Sequence, residues 1–231
     1  MEIQAEGAAA APVRIGPVAA IGGALLLFIG TWMHPMNADP NDPLAAFAEY
    51  AAADHWVTSH LLQLFGVLLM SAALVLLLRR LDDGRAAVWA VLGTAGAIAG
   101  LAAAAALQAV DGVALKVMVD HWALAPAAVK PLFLQAAFAV RQIEVGLASV
   151  TSLLFGLTVS AYGVALWLDR RFPRWIAALA IAGGVPTALA GVAIAYSGFS
   201  DLAMGLNLPA GSLLILLMLL VGGYGWRHPV F

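Results

Sequence analysis

FGVLLMSAALVLLLRRLDDGRAAVWAVLGTAGAIAG, residues 65–100, sets two uncharged runs on either side of the turn RRLDDGR at 79–85. A helix rises 1.5 Å per residue, so about 20 apolar residues cross the roughly 30 Å of bilayer hydrocarbon. The arginines stand at the helix exit and the Asp-Gly pair supplies a tight reversal. The stretch therefore predicts two membrane-spanning helices joined as a hairpin, with the turn on the cytoplasmic side.

The rest of the chain agrees with that solvent. Of 231 residues, 63% are hydrophobic, 11 are Lys or Arg and 13 are Asp or Glu, whereas soluble domains carry about a quarter charged residues. Mean hydropathy is +0.95. A net charge of −2, with basic residues beside the apolar runs, argues against nucleic acid as a partner and for the lipid bilayer. The absence of cysteine excludes disulfides, thiolate metal sites, iron–sulfur clusters and cysteine nucleophiles. Residues 1–14 do not read as a signal peptide, because Arg14 follows two acidic residues and the apolar run after it is as long as a span; they are expected to be a cytoplasmic tail.

Six spans are predicted, over 15–33, 60–78, 86–109, 146–168, 175–196 and 208–224. Together they make an all-α, polytopic membrane bundle: a single domain over 15–224 with a short cytoplasmic tail at 225–231. With both termini inside, the inward segments carry eight basic residues, among them Arg79, Arg80, Arg85, Arg170, Arg171 and Arg174, against five acidic ones. The outward segments carry three basic residues against eight acidic ones. That asymmetry in short turns is the positive-inside pattern and sets the expected orientation.

The outward segments 34–59 and 110–145 are too structured for plain loops and are expected to form a small extracytoplasmic helical cap. A helix should begin at Asp42, with Pro43 in its first turn and Leu44, Phe47, Tyr50 and Ala51 near one face. It could run directly into the second span. LFLQAAFAVRQIEVGL, 132–147, resumes helical spacing and should extend the fourth span outward.

Small residues recur where spans must approach one another. Gly93, Gly96 and Gly100 mark one helix surface, and Gly183 and Gly184 precede Pro186 in the fifth span. The first set predicts close helix packing and the second a kink near mid-membrane.

Chemistry gathers on the outward side. His34, His55, His60 and His121 lie there with Asp111, Asp120 and Glu144, while only His228 is inward. Imidazole and carboxylate suit a divalent first-row metal, and imidazole suits haem iron. The spacing leaves the set open: His55 and His60, five apart, cannot face one ion from a continuous helix. His34 and His60 meet if the first hairpin closes, and Arg141 with Glu144 should pair along one helix. Ser59 adjoins His60 but adjacency does not make a triad, and there is no HExxH or HxxxH. No catalytic residue is assigned.

MHP, DHWVTSHLLQLFG, DGVALKVMVDHW and the glycine-rich spans, taken together, resemble small multi-pass inner-membrane proteins of bacteria. The resemblance implies a bacterial inner-membrane location and no particular activity. The expected function is binding of a small ligand or metal ion at the outer face during transport or sensing. The alternatives are a non-catalytic accessory or scaffolding protein, in a homo-oligomer or with another membrane protein, and a membrane-embedded metal-dependent hydrolase.

Overall fold

The computed structural model describes residues 14–81 and 83–228. Most of the expected N-terminal tail, Asp82 of the first turn, and 229–231 lie outside the described residues. Among the described residues every regular element is helical. Helix α1 spans Ile15–Met33, α2 Pro43–Ala52, α3 Trp56–Leu78 and α4 Gly84–Gln108. A π-helical segment, Ala109–Leu115, joins α4 to α5, Lys116–Leu124; α6 covers Lys130–Leu168, α7 Arg174–Ser197 and α8 Asp201–Arg227.

Six helical stretches are long and apolar enough to cross a membrane: α1, α3, the continuous Gly84–Leu124 helix, α6, α7 and α8. Their outward faces leave Val18, Phe28, Val88, Ile98, Leu157 and Leu189 exposed, an apolar exterior that water would not tolerate on this scale. Three helices start a full turn or more before the sequence spans: α3 at Trp56, α6 at Lys130 and α8 at Asp201. The extra turns all lie at the end of the bundle opposite the arginine turns.

Each spanning helix packs on the next in chain order, and α8 returns to α1, so the six close into a ring. Small residues make the seams. A Cβ at Gly156 would come 2.2 Å from the backbone nitrogen of Ala188, and one at Gly191 2.5 Å from that of Leu153, so α6 and α7 touch almost backbone to backbone. Gly93, Gly96 and Gly100 of α4 lie against Tyr162, Thr158 and Phe155 of α6. Gly183 faces Leu214 of α8, and Gly184 faces Ser160 and the Gly156 carbonyl. Helix α7 runs through Pro186 without a break in its assignment.

One apolar core, with Leu77, Leu81, Tyr162, Leu166 and Ile176 at its centre, fills the ring near the arginine turns. There Arg171 binds Asp169 through two nitrogens and donates to the Arg80 carbonyl, tying one turn to the other. Gly84 takes φ +57°, the left-handed conformation of the tight reversal. Arg174 lies over the Trp167 ring, 5.5 Å from its centroid, and Arg14 over Trp226 at 4.4 Å. A second core, built on Phe47, Tyr50, Trp56, Leu115, Val119 and Trp122, sits at the opposite end.

Candidate metal-binding site

The second core is organised around α2. Asp42 accepts the Leu44 and Ala45 N–H groups at 3.0 and 3.2 Å, and Pro43 occupies the first turn, as the sequence predicts. The buried face is Ala46, Phe47 and Tyr50, with Ala51 packed against it, so the expected face holds except at Leu44, which is exposed. At its other end Lys116 donates to the Tyr50 and Ala51 carbonyls at 3.0 and 3.1 Å and pairs with Asp120 at 2.8 Å. A cation on the last carbonyls favours the helix C-terminus and clamps α2 to α5. Chain α2 does not run into α3: Ala53–His55 separate them, and His55 is exposed at the start of α3.

Beneath α2 three elements bring ligating groups together. His34 follows the last residue of α1, and its Nδ1 lies 2.8 Å from the Pro35 carbonyl. His60 stands in the second turn of α3, with Nδ1 2.7 Å from the Trp56 carbonyl. Asp111 belongs to the π segment. Each offers one ligand atom, and the three atoms lie within 4.8 Å of one another.

The hydrogen bonds fix the tautomers. A carbonyl only accepts, so both histidines carry a proton on Nδ1 and turn Nε2 toward the site. Metal-ligating histidines are held in just this way, the second ring nitrogen anchored to a carbonyl. Nε2 of His60 lies 3.0 Å from Oδ2 of Asp111. Two lone-pair atoms approach that closely only with a proton or a metal ion between them. The other oxygen, Oδ1 of Asp111, is buried without a hydrogen-bond partner, which leaves acceptor capacity for a cation.

Asp111 is gripped a second time by α3, because Trp56 Nε1 donates to its backbone carbonyl at 3.0 Å. The next residue makes the approach possible: a Cβ on Gly112 would come 2.6 Å from Cβ of His60. Aromatic rings wall the site. Trp56 has centroid distances of 4.3 Å to Tyr50, 4.8 Å to His34 and 4.6 Å to His60. The loop carrying His34 is tied down by Glu49, which accepts from Asn37 N, Asn37 Nδ2 and Ala38 N at 2.9–3.0 Å. Burial acts to raise the Glu49 carboxyl, but those three bonds outweigh it and hold it below the usual range.

Burial likewise holds the His34 imidazole below the ordinary histidine value, with His60 and Arg141 acting in the same direction and Asp111 and the Pro35 carbonyl opposing. It is thus neutral and available as a ligand at neutral pH. Burial pushes the Tyr50 hydroxyl up to about 12, so it stays protonated.

Beside this cluster Arg141 and Glu144 form a buried ion pair at 2.6 Å along α6, the pairing the sequence predicts. The Arg141 guanidinium lies 5.6 Å from the Tyr50 ring centroid and 5.0 Å from that of Phe199. It also borders a cleft of about 320 Å³ shared with Asn41, Phe47 and Tyr196.

Of the other sequence candidates, Asp120 is engaged by Lys116 and His121 is exposed beside Phe133. With His55 and Glu144 they stand outside the three-ligand group. Haem does not fit between His34 and His60, whose ring centroids are 5.0 Å apart, inclined at 57° and flanked by Trp56. A bare ion does. Ser59, His60 and Asp111 are linked in series, at 3.2 and 3.0 Å. Ser59 nevertheless donates to the Trp56 carbonyl at 2.7 Å and is fully buried, so this chain of contacts lacks an accessible, activated nucleophile.

Sequence reasoning assigned no site role to Trp56, Tyr50 or Gly112. Gly112 carried a signal, as a glycine directly after the carboxylate that ends the third apolar span. Comparison with protein families, curated proteins and solved structures finds no match to this chain.

Proposed function

We propose that this chain is a bacterial inner-membrane protein, with both termini in the cytoplasm, that captures a divalent first-row transition metal ion at its outer face. His34, His60 and Asp111 are the ligands, and α2 with α5 is an extracytoplasmic cap over them. One observation carries the reading: three separate elements deliver two carbonyl-anchored imidazoles and a carboxylate oxygen to within 4.8 Å of one another. Two nitrogens and one oxygen suit zinc and its neighbours and leave a coordination position for water or a small ligand. The orientation is supported by the arginine turns at the far end.

Sensing or storage is favoured over transport. The ligands lie at one end, and the apolar helices carry no charged relay along the ring interior from which a path for an ion could be built. A hydrolase would need room for a substrate beside the ion, and the Trp56 ring packs against both imidazoles, 4.8 and 4.6 Å from their centroids. The second reading is an accessory or scaffolding protein in which a proton between His60 and Asp111 pins α3 to the π segment; the 3.0 Å contact supports it directly.

The test is metal loading of the full chain in detergent. After chelator treatment, cobalt(II) should bind at about one ion per chain with the visible absorption of a low-symmetry nitrogen–oxygen site. His60→Ala and Asp111→Ala should abolish it, and His55→Ala and His121→Ala should not. Failure of the native chain to take up cobalt or zinc would leave the proton-linked pin. Orientation is tested in this cysteine-free sequence by single substitutions: Asn41→Cys should label from outside intact cells and Asp83→Cys only after permeabilisation.

A further inference from the structure

A second site lies inside the ring. Between the two apolar cores is a cavity of about 170 Å³, lined by α1, α3, α6, α7 and α8. Its walls are apolar, with Met70, Leu74, Phe155 and Leu214 among them, and it also receives Ser71, Thr151 and Asn207.

The hydroxyls are the informative groups. Within apolar helices a serine or threonine ordinarily donates to the carbonyl four residues earlier, which satisfies it without any partner helix. Thr94, Ser160, Thr187 and Ser212 all do so here, at 2.7–3.0 Å. Ser71 and Thr151 do not. Both oxygens are buried without a hydrogen-bond partner, and Ser71 is only 4% exposed. They come from α3 and α6, which are not neighbours in the ring, and they line the same cavity. Thr158 is also without a partner, but it is turned to α4, where a Cβ on Gly96 would come 2.4 Å from its Oγ1.

An unpaired hydroxyl in an apolar interior is costly unless something binds it. A purely apolar occupant would leave both oxygens unsatisfied. A large polar one would not match the walls.

We infer that this cavity binds a lipid-soluble molecule of single-ring size carrying a hydrogen-bonding oxygen, a phenol or quinone-type headgroup, with Ser71 and Thr151 as its polar contacts. The ring reaches the site through the membrane, in contact with Met70 and Phe155, and its oxygen exchanges hydrogen bonds with the two hydroxyls. Asn207 adds an amide that can donate or accept. This site is independent of the metal-binding proposal, since it shares no residue with it.

The probe is 4-fluorophenol against 4-fluorotoluene, two molecules of nearly equal shape that differ in the oxygen. Fluorine NMR of the full chain in detergent, referenced to empty micelles, should show a protein-bound resonance for 4-fluorophenol. Its affinity should exceed that of 4-fluorotoluene by about tenfold, and each of Ser71→Ala and Thr151→Val should reduce that advantage by about fivefold. Thr151→Val preserves side-chain shape, so it remains informative if Ser71→Ala perturbs folding. Ser160→Ala, outside the cavity lining and with its hydroxyl already bonded to the Gly156 carbonyl, is expected to change little. Equal binding of the two probes would overturn the proposal, as would an oxygen preference that survives both substitutions. So would a bound resonance absent for both, the outcome expected if trapped water already satisfies the hydroxyls.

Discussion

His60 and Asp111 meet at 3.0 Å while the far nitrogen of the same imidazole is tied, at 2.7 Å, to the Trp56 carbonyl. The carbonyl holds a hydrogen on Nδ1, and so the nitrogen facing Asp111 is bridged to it either by a second proton or by a cation that replaces one. In α3 the anchor and the ligand are one turn apart, so the ring cannot rotate away without breaking a helix-borne contact.

Metal should therefore stabilise the fold. At a free zinc concentration about 100 times the dissociation constant, ligand linkage supplies about 2.7 kcal/mol. For a chain of this size that is a rise of roughly 5–10 °C in the unfolding temperature. Differential scanning fluorimetry should show the rise in the native chain and lose it in His60→Ala and Asp111→Ala. Equal shifts in all three would place the metal elsewhere.

Acid should weaken capture, and only below the usual histidine range. Burial keeps His34 below the ordinary value of 6.5, so the imidazole is already neutral at pH 7, and raising the pH further frees no additional lone pair on His34. Protonation competes with the ion as pH falls through the depressed value. The His34 contribution to cobalt affinity, read as the difference between the native chain and His34→Ala, should be level between pH 8 and 7 and decline beneath pH 6.5. A steep loss between pH 8 and 7 would contradict a depressed His34.

The α6–α7 seam should resist even a methyl group. Gly156→Ala drives a Cβ to 2.2 Å from the Ala188 backbone nitrogen, whereas Gly146→Ala, on the same helix, meets nothing within 4 Å. The first should cost at least about 1–3 kcal/mol, and the second should stay within about 0.5 kcal/mol of the native chain. Thermal unfolding of the two variants side by side measures the difference.

Lys116→Met keeps the aliphatic stem and removes the ammonium that holds the Tyr50 and Ala51 carbonyls. Hydrogen bonds from a charged donor are worth about 1.5–3 kcal/mol, so α2 should open more often. Hydrogen exchange over 43–52 is expected to speed up by roughly tenfold or more, with α7 unchanged. Unaltered exchange in α2 would mean that its apolar face alone secures it.

The six apolar helices, the Asp42–Pro43 start of α2, the Arg141–Glu144 pair and the glycine contacts were legible because each rests on local spacing. Site membership was not. His55, Asp120 and His121 share a side of the membrane with the ligands in the sequence reading, yet a break at Ala53–His55 turns the first away and Lys116 engages the second. The π segment is the deeper reason. It shifts the phase of everything after Ala109 relative to a 3.6-residue repeat, so no helical wheel drawn through α4 and α5 could say that Asp111 faces α3. Tyr50 and Trp56 were legible only as an apolar face.

The return of α8 onto α1 carries a consequence for biogenesis. Gly222 lies so close to Ile21 and the Pro17 carbonyl that a Cβ there would come within 2.7 Å of the isoleucine. The surface around residues 17–21 waits, uncovered, until the last hydrophobic stretch leaves the ribosome. His34, His60 and Asp111 are all synthesised by residue 111. A nascent chain stalled midway would carry the whole candidate cluster inside an unfinished circle, with α1 still open to whatever insertase or chaperone receives it.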